Sequence, residues 1–334
     1  MVLTSPMLVL TRQETAALLE PDSLRRAVAE AMVDVSAGRA SMPTRIAAMV
    51  PDAGGLLAAM PAFVPTIGGL GAKLVSLFPR NAGTERPTHH AVIVMFDPVN
   101  GAPVAVLDGT SITAARTAAG SALATDLLAR DDSEVLAIIG TGVQAQSHAL
   151  AVTRVRPFRL VKIIGRRLDA ARALAADVGR LTGIDTEAHT DLDAGCAGAD
   201  VVCAATHSAE PVIEGNRLVD GVHVTSVGYN IAGREVDTDA IVRSLVVVES
   251  RAAVLAAPPA GANELRIPIE EGVITPDHIH AELGELVAGT RPGRAAPKQI
   301  TLYKSVGVAA QDVAAALLVM RRAREQGIGI EIDI

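Results

Sequence analysis

Apolar and polar positions divide the chain into two regimes. Between about 134 and 255, short β-branched runs alternate with alanine- and leucine-rich segments of helical period. EVLAIIG (134–140), LVKIIG (160–165), ADVVCAAT (199–206), HVTSVG (223–228) and SLVVVES (244–250) read as strands. QAQSHALAVTRV (144–155) and LDAARALAADVG (168–179) read as helices, the second closed by a Gly cap. Such alternation predicts a parallel sheet with helices on both faces. The residues before about 125 follow another pattern. TRQETAALLEPDSLRRAVAEAMVDVSAG (11–38) is helical with a Pro punctuation. RIAAMV, GLLAAMPAFV, GAKLVSLF, HAVIVMFDP and APVAVLDG then follow as strand-like runs parted by Gly and Pro turns, which suits an antiparallel sheet. A last helical segment, AAQDVAAALLVMRRAREQG (309–327), returns after the alternating region, and its natural place is against the first domain. The expected fold class is α/β: a doubly wound parallel sheet over 126–304, inserted into an α+β domain built from 1–125 and 305–334.

Composition narrows the function classes. Of 334 residues, 49% are hydrophobic but only 2% aromatic, so the core must pack Ala, Val, Leu and Ile. A net charge of −7 without a long run of Lys or Arg argues against nucleic acid or an anionic membrane as the main partner. No uncharged apolar run reaches the ~18 residues of a membrane helix; 241–257 is broken by Arg243, Glu249 and Arg251. MVLTSPMLVL lacks the basic start and long apolar core of a signal peptide. Cys196 and Cys203 are too far apart for a CxxC pair and read as apolar fillers in a reducing compartment. A soluble cytoplasmic protein is expected.

Gly140-Thr141-Gly142-Val143-Gln144-Ala145 is a GxGxxA turn between a strand and a helix. Gly140 permits the tight turn, Gly142 lets the backbone approach a pyrophosphate, and Ala145 allows close packing of helix on strand. The helix N-terminus offers free N–H groups to the anion. The motif marks a dinucleotide site in a Rossmann-type fold; the plain alternative is an ordinary βα turn. At the end of the second strand, where an NAD site usually carries an acid for the ribose 2′-hydroxyl, stand Arg166 and Arg167, with Asp169 only later in the helix. Arg166 suits a 2′-phosphate, so NADP(H) is favoured with NAD(H) possible. The alternative is that both arginines form a solvated helix entrance.

Three cations lie in otherwise apolar segments: Arg45 in MPTRIAAMV, Lys73 in GGLGAKLVSLFP and Arg116 in SITAARTAAGSALAT. Each alone reads equally as a surface cation. Together they could clamp a carboxylate, because Arg forks pair with carboxylates in bidentate fashion. A Lys held beside two Arg has a lowered pKa, which suits acid–base work.

The chain resembles the ornithine cyclodeaminase/μ-crystallin family over nearly its full length. The resemblance rests on MPTR (42–45), MPAF (60–63), GAKLVS (71–76), FDP-NG (96–101), LDGTSITAARTAAGSALAT (107–125), IIGTGVQAQ (138–146), HVTSVG (223–228), AELGELVAGTRPGR (281–294) and ITLYKSVGVAAQD (300–312). It implies a homodimer whose inserted Rossmann domain accompanies a substrate and dimerisation domain. It implies that Arg45, Lys73 and Arg116 hold the α-carboxylate of an amino or imino acid, with Met60 in the same pocket. Thr141, Gly142, Val143 and Gln144 fall on the pyrophosphate loop, Ala205 and Thr206 at the nicotinamide ribose, and Val227 and Gly228 beside the nicotinamide ring.

Members of the family cyclise ornithine, reduce cyclic imines or ketimines, or interconvert alanine and pyruvate. The cyclodeaminase pattern carries an Asp in VG-x-D and a Glu two residues before the MP pair. This chain has Asn230 and Ala58 there. Without those carboxylates the second ammonium of ornithine would sit unpaired in a dry pocket, at a cost of several kcal/mol. The expected function is NAD(P)H-dependent reduction of a cyclic imino acid of the Δ1-pyrroline-2-carboxylate type, or a related amino-acid dehydrogenation. Lys73 would be the proton donor or relay, with Asn230 and Thr206 orienting the imine nitrogen or the cofactor amide. The alternatives are ornithine cyclodeamination and NADPH binding without turnover.

Several signals are discounted. His89-His90 point apart on a strand, and Asp277-His278-Ile279-His280 reads as a polar helix start, so no metal is expected. Glu264 and Glu270-Glu271 are expected to face solvent. Asp312 reads as a helix N-terminal residue, and Asp108 either orients a cation or serves as a turn residue.

Overall fold

The computed structural model describes residues 6–258 and 260–333. The chain divides into two compact units: one runs to Arg116 and resumes at Val308, and the other is the continuous stretch Thr117–Gly307. The division falls inside the helix Gly109–Leu128. The first unit holds β1 (Met7–Val9), β2 (Ile46–Val50), β3 (Gly55–Val64), β4 (Gly69–Leu77), β5 (His89–Phe96) and β6 (Pro103–Asp108). The second holds β7 (Val135–Ile139), β8 (Leu160–Ile164), β9 (Asp185–His189), β10 (Val201–Ala204), β11 (His223–Ser226), β12 (Leu245–Val248), β13 (Ile279–Glu282) and β14 (Thr301–Lys304). The returning chain ends in β15 (Ile330–Ile332).

The first sheet runs β15-β1-β6-β5-β4-β3-β2 and is antiparallel except where β1 meets β6. Period-two alternation sends Met60, Ala62, Val64, Lys73, Val75, Ile93 and Met95 to a buried face. The helices Pro21–Ser36 and Ala309–Gln326 pack on these strands. Pro21 opens the first of them at a position where its missing N–H costs nothing. The opposite face is apolar yet open: Ile46, Leu57, Leu74 and Val92 are exposed, and the row Ala59–Leu74–Val92 crosses three strands in register. A one-sided antiparallel sheet ordinarily turns polar residues outward.

The second sheet is parallel throughout, in the order β13-β12-β14-β11-β10-β7-β8-β9. The chain winds outward from β7 to β9, then crosses back to β10, so the order reverses at the carboxyl ends of β7 and β10. That reversal is where doubly wound sheets bind ligands.

Three local expectations change. The helix from Leu168 runs through Gly179 to Thr182, and the left-handed cap is Gly183, with φ of 74°. The DHIH segment is a 3₁₀ turn leading into β13, because the backbone of 279–282 pairs with β12 instead of coiling. Asp108 caps the helix that follows it: its carboxylate accepts from the Ser111 N–H at 2.8 Å. Among the described residues, no helix is long and apolar enough to cross a membrane, and no His/Cys/Asp/Glu group could hold a metal ion.

Candidate active site

In the first unit the alternation of β4 places Lys73 on the buried face, only 3% exposed. Gly69 and Gly71 explain the glycines before it. A Cβ at Gly69 would lie 2.7 Å from Val313 Cγ1, so a side chain there would push away the first turn of Ala309–Gln326. That turn carries Asp312, fully buried, and Lys73 Nζ meets Asp312 Oδ2 at 2.7 Å. Arg116, two turns into its helix and 4% exposed, donates from Nε to Asp312 Oδ1 at 2.9 Å and from Nη1 to Gln311 Oε1 at 3.1 Å. One carboxylate therefore serves two buried cations, and the cluster keeps an excess positive charge. Arg45 is half-buried, and its charge is felt at Lys73.

The electrostatics follow from this arrangement. Burial pushes Lys73 down to about 8, the Asp312 carboxylate opposing the fall and the Arg116 and Arg45 charges adding to it. Burial works to raise Asp312, but the charges of Arg116 and Lys73 outweigh it and hold the carboxyl below its ordinary value. His89 stands on the inward parity of β5. Burial first, then the charges of Lys73 and Arg116, lower its pKa. Met60 lies directly opposite Lys73 in the β3–β4 register and is buried. Ala58 is buried on the same face, so the position where a cyclodeaminase carries its Glu holds only a methyl group.

In the second unit, Gly140 has φ of 124°, and a Cβ there would lie 2.6 Å from Ala205 O. Only glycine fits that approach of the β7 turn to the β10 turn. Gly142 caps the helix Val143–Val152 without a side-chain hydrogen bond, and the first turn carries no acid. Gly142 and Val143 are exposed, and a Cβ on Gly142 would meet nothing within 4 Å. Ala145 is fully buried against the sheet. Gln144 Oε1 is buried without a hydrogen-bond partner among the described residues. Uncapped N–H groups, open space before them and no competing carboxylate fit a pyrophosphate. Arg167 is tied to Asp169 at 2.9 Å, whereas Arg166 is exposed and has no hydrogen-bond or ion-pair partner among the described residues.

Thr206 and Gly228, at the ends of β10 and β11, are joined through one side chain. Glu235, buried, accepts from Thr206 N at 2.5 Å, from Gly228 N at 2.7 Å and from Ser226 Oγ at 2.8 Å. A Cβ on Gly228 would collide with that carboxylate. Lys304, fully buried, donates to Gly228 O at 2.7 Å, to Ser226 Oγ at 3.1 Å and to Glu264 Oε1 at 2.9 Å. The expectation that Glu264 faces solvent is thereby corrected: it is 3% exposed because it pairs with Lys304 and accepts the Glu235 N–H. Asn230 donates from Nδ2 to His207 O at 2.8 Å and accepts from Ala232 N at 2.9 Å, so both ends of its amide hold the loop that carries it. Sequence reasoning weighed His89 only as a metal ligand and passed over Gln311, Glu235 and Lys304. A Lys inside an apolar run, as in ITLYKSVG, was the one signal that could have flagged the last of these.

Comparison with known proteins places these features in company. The profile of the ornithine cyclodeaminase/μ-crystallin family matches residues 6–327. The Δ1-pyrroline-2-carboxylate reductase of Bacillus thuringiensis subsp. konkukian (strain 97-27) is 33% identical over 329 residues, covering 98% of this chain and 100% of that protein. The structure of Thermococcus litoralis Δ1-pyrroline-2-carboxylate reductase in complex with NADH and L-proline matches with a TM-score of 0.92 at 35% identity, covering 98% of this chain and 100% of that one. An archaeal alanine dehydrogenase dimer with bound NAD matches with a TM-score of 0.90 at 30% identity, covering 99% of this chain and 100% of that one.

Proposed function

The chain belongs to the ornithine cyclodeaminase/μ-crystallin family, and from that premise we propose that it is an NAD(P)H-dependent reductase of a cyclic imino acid of the Δ1-pyrroline-2-carboxylate type. The observation that carries the proposal is the buried pair Lys73 and Arg116 around the single carboxylate of Asp312. Two cations against one anion leave a positive charge that a bound carboxylate neutralises, and Arg45 adds to the same field. Ala58, on the buried face that carries Met60, offers no carboxylate to a second ammonium, and Asp312 is already engaged by Lys73 and Arg116, which favours a neutral ring.

The dinucleotide supplies the hydride when bound. Gly140, Thr141, Gly142, Val143 and Gln144 would hold its pyrophosphate, and Ala205, Thr206, Val227 and Gly228 its nicotinamide end. Arg45, Lys73 and Arg116 fix the substrate carboxylate and so the position of the C=N bond. Lys73 gives its proton to the imine nitrogen. Asn230 has a positioning role, because an amide cannot exchange a proton near neutral pH and its own bonds hold the 230–232 turn. We assign the protein a homodimer through the open apolar face of its first sheet. The exposed Ile46, Leu57, Leu74 and Val92 support that assignment, as does the dimeric archaeal relative.

A substrate panel tests the reaction. Δ1-Pyrroline-2-carboxylate, Δ1-piperideine-2-carboxylate and pyruvate with ammonia are offered with NADPH or NADH, against ornithine with NAD+. The expected result is oxidation of the reduced cofactor by a cyclic imine and no ammonia from ornithine. Ammonia release with proline formed at no net change in cofactor would establish cyclodeamination instead, and tight NADPH binding without turnover of any substrate would leave a binding protein.

We assign the 2′-phosphate of NADP(H) to the unpaired Arg166. Arg166→Asp lowers the preference for NADPH over NADH, read as the ratio of kcat/KM values, by about 10- to 100-fold, the worth of a charge-assisted contact of ~1.5–3 kcal/mol. A wild-type preference for NADH would show that Arg166 is only a solvated helix entrance.

A further inference from the structure

We infer that the second unit carries a buried net negative charge that stabilises the oxidised, cationic form of the nicotinamide over the reduced form. Glu264 and Lys304 are the residues that set it. The inference rests on the cofactor site proposed above and adds to it a control over the redox balance of the bound pair.

Among the described residues of Thr117–Gly307 that are buried as a whole, the carboxylates are Glu235, Glu249 and Glu264 and the cation is Lys304; Arg234, beside Glu235 in the chain, is half-buried with its Nη1 buried. Glu235 accepts from Thr206 N, Gly228 N and Ser226 Oγ. Ser226 Oγ also accepts from Lys304 Nζ. Glu264 accepts from Lys304 Nζ and from Glu235 N, and Glu249 accepts from Ser305 Oγ at 2.6 Å and Val306 N at 2.7 Å. Backbone N–H groups, serine hydroxyls and one ammonium thus surround these oxygens. Three buried carboxylates thus face one buried ammonium and the half-buried guanidinium of Arg234, which leaves an excess of one negative charge.

The position of this charge gives it an effect. Glu235 grips the N–H groups of Thr206 and Gly228, and Lys304 grips the carbonyl of Gly228, so the cluster lies directly beneath the two strand ends where the nicotinamide is assigned. Buried ion clusters that only stabilise a fold tend to be neutral, since an uncompensated charge in a low-dielectric interior is costly. An excess of carboxylates has a partner once the dihydronicotinamide ring, neutral before reaction, loses hydride. The hydride's electron pair becomes the new C–H bond on the imine carbon, the imine nitrogen takes its proton from Lys73, and the ring is left a pyridinium cation. Negative charge beneath the ring lowers the energy of that product state and makes the bound reduced dinucleotide a stronger hydride donor.

The test compares dissociation constants of NADP+ with NADPH, and of NAD+ with NADH, for the wild type, Glu264→Gln and Lys304→Met. Gln keeps the oxygen that accepts from Glu235 and Lys304 and removes only the charge. Its ratio of oxidised to reduced dissociation constants rises about 5- to 10-fold, as for unit charges about 10 Å apart at an effective dielectric of roughly 20 to 40. Lys304→Met makes the excess larger, and the same ratio falls. A purely structural role would weaken both cofactor forms together and move the two variants alike. Ratios that stay at the wild-type value, or shift in the same direction in both variants, overturn the inference while leaving the cofactor site intact. Should one variant fail to fold, the sign of the other decides. A wild type that binds neither dinucleotide pair overturns the cofactor site itself, and the inference with it.

Discussion

Lys73→Ala is expected to lower turnover of the preferred imino acid by about three orders of magnitude, the range of a lost general acid, while the dissociation constant for NADPH stays near its wild-type value. The cofactor value holds because Lys73 lies in the first unit, and the residues assigned to the pyrophosphate lie in the second. The fold survives because Arg116 still pairs with Asp312 at 2.9 Å. The pH dependence makes the role of Lys73 specific. In the folded protein the ammonium loses its proton at about 8 instead of 10.5, because burial disfavours the charge. Reduction needs the protonated form, so kcat/KM for the imine falls above about pH 8, and oxidation of the product amine, which needs the free base, rises over the same interval. Asp312 opposes the lowering, so Asp312→Asn moves the inflection to lower pH in both directions. Linkage has the same sign: the unfolded chain retains this proton between about 8 and 10.5 where the folded one does not, so this residue's contribution to stability grows as pH rises through that window. Unchanged turnover in Lys73→Ala, or a reductive profile that rises through pH 8, removes Lys73 from proton transfer.

What the sequence revealed of fold and site depended on whether the signal was local. Five of the six interior strands of the second unit, β7, β8, β10, β11 and β12, show as short apolar runs, because a strand buried on both faces is apolar at most positions, whereas β14 is hidden by the Thr, Tyr and Lys it carries. β9, with the sequence DTEAH, lies at the edge of that sheet and has no such constraint, so hydropathy alone hides it. β13 was hidden by its own His280 and by His278 in the turn before it, whose ring nitrogens bond to the backbone carbonyls of Pro292 and Ile241. Lys73 was visible as a charge breaking an apolar alternation, and Arg116 as a cation in an alanine-rich helix. Asp312 was not: an acid in the first turn of a helix is ordinary on helix-dipole grounds, and its partners stand 239 and 196 positions away. Glu264 looked solvated for the same reason: it stands in the first turn of the helix Asn263–Glu270, and its cation, Lys304, comes 40 residues later on β14. Burial of a charge is a tertiary fact, and one sequence shows the charge without its counterion.

That missed counterion carries the other large expected effect. Asp312→Ala leaves two cations, Lys73 and Arg116, buried at 3% and 4% exposure with no carboxylate between them. Removing the shared partner of a buried ion cluster typically costs about 3–5 kcal/mol, because the stranded charges keep their desolvation penalty and lose the attraction that offset it. The asymmetry with Lys73→Ala is the informative part: deleting Lys73 takes away one cation and leaves a neutral pair, whereas deleting Asp312 strands both. Urea unfolding midpoints of the two single variants and the double variant separate the cases. Asp312→Ala unfolds far earlier than Lys73→Ala, and adding Lys73→Ala to it restores part of the loss, since one stranded charge is then gone. Stability of Asp312→Ala equal to that of Lys73→Ala would mean that water reaches the cluster and pays no heed to its counterion. The excess positive charge on which carboxylate binding rests would then be screened, and the site would lose its hold on the substrate acid.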